Sequence, residues 1–212
     1  MTNLAFTSFA YKTAIVPLLL TEATYLADKL KLEEPRPITP TMVRIRPPKL
    51  GFGGVVMTTN FSYSFAEPGK IMSIGRIDAE GMVIPSINEF DALAKVKSKI
   101  DSRQAYQLAT QWLGSISFDI QGYEKVSTLR VEQLNSKQVG LLPLFEIHWN
   151  STNSSGQIEV HIDGSTKQLS YLFIQQPEAG RFLHRPAMAL TNAAELNAMP
   201  DPPMKALSRP PP

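Results

Sequence analysis

The chain of 212 residues contains no cysteine. That excludes a disulfide framework, a thiolate metal site and a thiol nucleophile, and it leaves the redox compartment open. Histidine occurs only 3 times, so imidazole bases are few. Charge of one sign is also scarce. Lys plus Arg is 21 and Asp plus Glu is 19, a formal net charge of +2. Nucleic-acid binding draws on lysine and arginine gathered on one face, because counterion release from phosphates drives it. The densest basic stretches here are short: Arg44, Arg46 and Lys49, then Lys95, Lys97, Lys99 and Arg103. The second is expected largely on a helix, as its solvated face. No nucleic-acid partner is expected.

Long apolar runs are missing too. Nothing approaches the ~18 residues that a membrane-spanning helix needs. The best run, Ala14 to Leu20, is at the low limit for a signal-peptide core. It lacks a basic start and a nearby small-residue cleavage site, so the displayed N-terminus is expected to be mature or cytosolic. Gly-x-Ser-x-Gly and His-Glu-x-x-His are absent. Gly51-Phe52-Gly53-Gly54 is not a phosphate loop, since no Gly-Lys-Ser/Thr follows and a strand, not a helix, comes next. A tight turn or bulge into that strand explains these glycines better.

What is present is patterned. A chain of this mass hides roughly 70% of its unfolded surface on folding, enough for a core without staples. Leu19, Ala23, Leu26 and Leu30 make an apolar stripe, which predicts a helix over 17–32 with Pro17 at its first position. Pro35, Pro37, Pro40, Pro47 and Pro48 predict an extended surface crossing that is neither helix nor central strand. Residues 52–66 read as β, and with Glu67-Pro68-Gly69-Lys70 and Ile71–Ile77 they form a hairpin. Ser86 to Glu89 has capping-box spacing before a short helix to about residue 98. Asp101 and Gln104 repeat that logic ahead of Ala105, Leu108, Ala109, Trp112, Leu113 and Ile116, with Trp112 expected as a core anchor. Strands follow at Val126–Leu134, Leu144–Trp149, Gln157–Asp163 and Leu169–Gln175, the middle two alternating clearly. A short helix from Thr191 to Met199 and a proline-rich tail over 200–212 close the chain.

The expected fold is α+β: an antiparallel sheet or sheets with helices packed on one face, in two helix-plus-meander halves if a short pattern is a true repeat. That pattern is Lys70-Ile71-Met72-Ser73-Ile74 beside Lys167-Gln168-Leu169-Ser170-Tyr171. The units would be 1–85, 86–176 and a terminal segment 177–212.

From Asp101 to Gln175 the chain resembles PepSY-type modules of bacterial secreted and membrane-anchored proteins. The residues that carry this are the alanine-rich helix (Ala105, Ala109), Leu144–Trp149, Gly156–Asp163 and Ser165-Thr166-Lys167. The family's turn has a glycine after the threonine; Lys167 stands there instead. Over its whole length the chain also resembles an uncharacterised bacterial family, through Thr58-Thr59-Asn60-Phe61, Ala105-Tyr106-Gln107-Leu108-Ala109 and Leu190-Thr191-Asn192. The resemblances imply a helix on a small antiparallel sheet and export behind a signal peptide not seen in this chain, hence a periplasmic or secreted location. They imply no established activity.

Candidate chemistry centres on Glu146, His148, Glu159 and His161. Parity places all four on one side of a hairpin, with His148 opposite Glu159 and Glu146 opposite His161. Such a set has Zn²⁺-ligand types, but a flat sheet does not converge four ligands, so solvated cross-strand pairs are the plainer reading. His184 lies in a loop suited to capping the sheet edge. Asn60, Asn150 and Asn153 fit acceptor patterns for glycosylation and are read as turn and strand chemistry. The leading expectation is a non-catalytic binding module of the bacterial envelope, taking a protein or peptide and needing no cofactor. Phe61, Tyr63, Trp149 and Tyr171 would be its aromatic contact residues if exposed. The alternatives are a carboxylate- or metal-dependent hydrolase on the Glu146/His148/Glu159/His161 face and a peptidase-inhibitory PepSY-like module.

Overall fold

A computed structural model describes residues 9–34, 37–45, 53–67, 70–77, 93–135 and 140–175. The expected capping box at Ser86, the Gly51-Phe52 pair, the His184 loop, the Thr191–Met199 helix and the terminal tail lie outside these residues.

Among the described residues eight strands form one sheet, and each neighbouring pair of strands is antiparallel. They are β1 (Val43–Ile45), β2 (Gly54–Met57), β3 (Phe61–Glu67), β4 (Lys70–Arg76), β5 (Tyr123–Asn135), β6 (Gly140–Ser151), β7 (Gln157–Asp163) and β8 (Gln168–Gln175). Their order is β1-β2-β3-β4-β8-β7-β6-β5. Helix α1 (Phe9–Lys29) precedes the first four strands and α2 (Ser102–Ser115) the last four. The fold is therefore mixed α+β, as the patterning predicts. Alternate strand residues, among them Val56, Tyr63, Phe65, Ile74, Ile147, Trp149, Val160 and Leu172, join Leu19, Ala23, Ala105, Ala109 and Leu113 of the helices in one buried apolar cluster.

The two halves share the order helix, then four strands, and several local features. Leu19, Ala23, Ala27 and Leu30 are buried along α1, and Ala105, Ala109, Leu113 and Ile116 follow the same spacing along α2. Both helices end alike. Lys31 has φ 54° and its N–H donates to Asp28, while Leu32 donates to Ala27; Ser117 has φ 58° and donates to Gly114, while Phe118 donates to Leu113. This is the left-handed cap that satisfies the last carbonyls of a helix. The hairpins β3–β4 and β7–β8 also break register at one equivalent place. Ser64 faces Ser73 and Phe65 faces Ile71, with Met72 as the extra residue; His161 faces Tyr171 and Ile162 faces Leu169, with Ser170 as the extra residue. Ile71 thus matches Leu169, not Gln168 as the Lys-x-apolar-Ser pattern suggests. The second turn is one residue longer, which displaces the sequence match by one.

Several expectations need correction. Pro17 sits inside α1, not at its first position. An interior proline removes one helix hydrogen bond and crowds the carbonyl four residues before it; Pro17 is exposed, where water reaches that carbonyl, and the segment before it continues the helix. Residues 52–66 hold two strands, not one. Thr58 makes the turn: its hydroxyl oxygen accepts from the N–H of Asn60 (3.1 Å) and Phe61 (2.8 Å). Leu93 to Ser98 is not helical. Lys95 bridges Leu141 in parallel, with Val96 N–H donating to Leu141 and Leu141 N–H to Ala94. Of the second basic stretch, only Arg103 therefore lies on a helix. The proline-rich crossing carries a 3₁₀ turn, Pro40–Met42, and the edge strand β1. The Asp101 capping box forms as expected: Gln104 N–H donates to the Asp101 carboxylate at 2.8 Å and Asp101 N–H to the Gln104 side chain at 3.1 Å.

Candidate functional site

The strand residues opposite to the buried set differ between the two halves. Register equivalence pairs Val55 with Glu146, Met57 with His148, Ser62 with Glu159, Ser64 with His161, Ser73 with Tyr171 and Gly75 with Phe173. The first half carries mostly small side chains there, and the second carries acids, imidazoles and rings. At the seam the Tyr171 ring leans over Gly75; a Cβ there would sit 3.5 Å from it.

The anticipated hairpin register holds. His148 stands opposite Glu159, and Glu146 opposite His161. The closest contacts nevertheless run along the strands. His161 Nε2 hydrogen-bonds Glu159 Oε1, and His148 Nε2 lies 4.0 Å from Glu146 Oε2. The result is two imidazole–carboxylate pairs. Among the described residues, no group of three or more His, Asp or Glu side chains is placed to hold a metal ion. Pleat geometry is the reason: residues two apart on a strand project in parallel and do not aim at a common point.

Rings continue the row. His148 and His161 are 6.5 Å apart between centroids, His161 and Tyr171 5.1 Å, and Tyr171 and Phe173 6.4 Å with 5° between planes. The Tyr171 hydroxyl is held above the ordinary tyrosine range, first by burial and then by the negative charge of Glu159. Burial alone raises Tyr123.

Three of the four expected contact aromatics are elsewhere. Phe61, Tyr63 and Trp149 are 4%, 0% and 1% exposed, so they are core residues and form no exposed cluster. The Tyr63 hydroxyl reaches Glu34 at 2.6 Å, which satisfies its polar tip. Only Tyr171 of the four lies on the divergent side. Trp112 is half-buried against the core, short of a full anchor. Sequence reasoning missed Val126, Leu129, Met57 and Phe173. Among the described residues Val126, Leu129 and Met57 are the large apolar ones most open to solvent, at 59%, 50% and 44%. Val126 is the extra residue of a bulge between Lys125 and Ser127, and a bulge leaves no mark in alternation alone.

A groove of about 290 Å³ opens beside that bulge, lined by Val126, Ser127, Leu129, His148, Glu159 and Phe173 among others. A second, of about 380 Å³, lies where α1 and α2 end, with Lys29, Lys31 and Lys167 around Phe61 and Trp112. Lysines at helix C-termini complement the helix dipole, which accounts for the first two. Among the described residues no helix is long and apolar enough to cross a membrane. No family model, no curated protein and no solved structure matches this chain.

Proposed function

We propose that the protein is a non-catalytic binding module in which both helices share one side of the sheet and the divergent side of β5–β8 docks a protein segment. The internal repeat carries this reading. Two halves that share helix C-caps, one hairpin bulge and a buried set supply a control for what the fold requires. Ser62, Ser64, Ser73 and Gly75 satisfy the fold in one half, so Glu159, His161, Tyr171 and Phe173 are not needed for folding in the other. Side chains that folding does not require, gathered with exposed Val126 and Leu129, mark a contact surface. The PepSY resemblance supports an envelope setting outside the cytoplasm, where a module of this kind would meet a peptide or protein. It also supports a peptidase-inhibitory role as the more specific form of the same proposal.

The test exchanges the divergent side for its first-half counterpart in the full chain: Glu146→Val, His148→Met, Glu159→Ser and Tyr171→Ser. The exchanged protein should keep its circular dichroism and unfolding transition yet lose the partner that the unchanged protein retrieves from envelope extract. Equal retrieval by both would overturn the proposal.

One observation favours hydrolysis as a second reading. Ser127 stands opposite His148, which stands opposite Glu159, so serine, imidazole and carboxylate lie in a row across three strands. No hydrogen bond joins Ser127 to His148, however, and the imidazole that bonds Glu159 is His161, not His148. A fluorophosphonate probe that labels the protein, and fails to label the Ser127→Ala variant, would favour hydrolysis over binding.

A further inference from the structure

Strands β6, β7 and β8 contain no lysine or arginine at all. They carry three acids. Asp163 is buried and its carboxylate is used up in the turn, accepting from Ser165 N–H at 2.8 Å and Ser165 Oγ at 2.7 Å. Glu146 and Glu159 are partly exposed on the divergent side, with only imidazoles as close charge partners. The cations of the neighbouring β5 are engaged elsewhere. Arg130 meets Glu132 at 3.1 Å, and Lys125 Nζ lies 4.8 Å from the centre of the Tyr106 ring. Glu124, opposite Asn150, adds a third acid to this side, and among the described residues of β5–β8 no lysine or arginine shares it.

The groove beside the β5 bulge adds shape to that charge. Val126 and Leu129 line it on the β5 side and Phe173 on the β8 side, with His148 and Glu159 between them. At about 290 Å³ it falls at the low end of ligand pockets, which run roughly 300–1,000 Å³. That size suits one long side chain better than a whole metabolite. From these features we propose that the groove receives an arginine side chain of the docked segment, an inference that rests on the binding reading above. The methylene stem lies along Val126 and Leu129, as long cationic side chains do on apolar surface. The planar guanidinium donates to Glu159 and stacks on Phe173, a combination that an ammonium satisfies less well.

The experiment titrates the ¹⁵N-labelled full chain with acetyl-Arg-Val-Arg-amide and with its citrulline counterpart, which keeps the shape and removes the charge. The arginine peptide should shift the amides of Leu129, Glu159 and Phe173 and bind about tenfold more tightly than the citrulline peptide. Glu159→Gln should abolish that difference while leaving the chain folded. Equal affinity for the two peptides at these amides would overturn arginine recognition and leave the docking reading standing. Shifts confined to the Lys29–Lys31 end, or no shifts with either peptide, would also overturn it. The exchanged variant described above decides the docking reading separately.

Discussion

Ile74 of β4 stands directly opposite Leu172 of β8, and the two are the same position of the two repeats. An antiparallel pair of equivalent residues places an approximate two-fold axis through the seam. The sheet is continuous across it, and both residues are buried, at 0% and 2% exposure. The halves should therefore unfold together. Ile74→Ala removes buried methyl groups and leaves a cavity, at a cost of about 3 kcal/mol. Both tryptophans, Trp112 and Trp149, lie in the second half. Their fluorescence midpoint in urea should nonetheless fall with this first-half substitution and coincide with the far-ultraviolet transition. A tryptophan midpoint that stays in place would mean that the halves unfold separately.

Lys167 adopts φ 64°, a conformation that costs a residue with a Cβ roughly 1–2 kcal/mol relative to glycine. Lys167→Gly should raise stability by about 1 kcal/mol, read as a higher urea midpoint at unchanged slope. The neighbouring Gly164 behaves oppositely. A Cβ there would meet Ser98 Oγ at 2.6 Å, the Phe145 ring at 2.7 Å and the Pro143 carbonyl at 3.0 Å. Gly164→Ala should destabilise by about 2 kcal/mol, because backbone and a packed ring must shift to admit it.

The sequence made the regular elements legible where a single physical rule governs. Alternation marks Gln157–Asp163 to the residue, and the Asp101–Gln104 spacing marks the start of α2. It failed where tertiary contacts override the local rule. Pro17 reads as a helix start, yet the helix passes through it on the solvent side. Thr58 reads as a strand residue, yet its hydroxyl closes a turn. The repeat itself is carried by caps and bulges at Lys31 and Ser117, Met72 and Ser170, none of which shares a residue type across halves. For the candidate site, parity and register placed the four polar residues correctly. Parity could not separate inward from outward aromatics: Trp149 and Tyr171 are both on alternating strands, and only tertiary packing decides which is buried.

Asp101 tests the α2 cap in isolation. Its carboxylate accepts from the Gln104 N–H at 2.8 Å at an exposed helix end. Asp101→Ala should cost about 1 kcal/mol, and Asp101→Asn much less, since asparagine caps almost as well. The measurement is again the urea midpoint. Equal losses for both substitutions would assign the effect to charge and not to the hydrogen bond.

Tyr171 reports on the proposed contact surface through its own ionisation. Burial and the Glu159 charge both disfavour the phenolate, so the folded hydroxyl titrates above the ordinary value of 10.0. A raised value in the folded state gives stability that is fully present below about pH 10 and is lost as pH climbs through the folded value, because the unfolded chain ionises first. Absorbance at 295 nm should show a late component, to which Tyr123 also contributes, that loses one tyrosine's amplitude in Tyr171→Phe. Glu159→Gln removes the second cause and leaves the first, so that component should move partway back and not all the way. If it does not move, the carboxylate of Glu159 does not act on Tyr171.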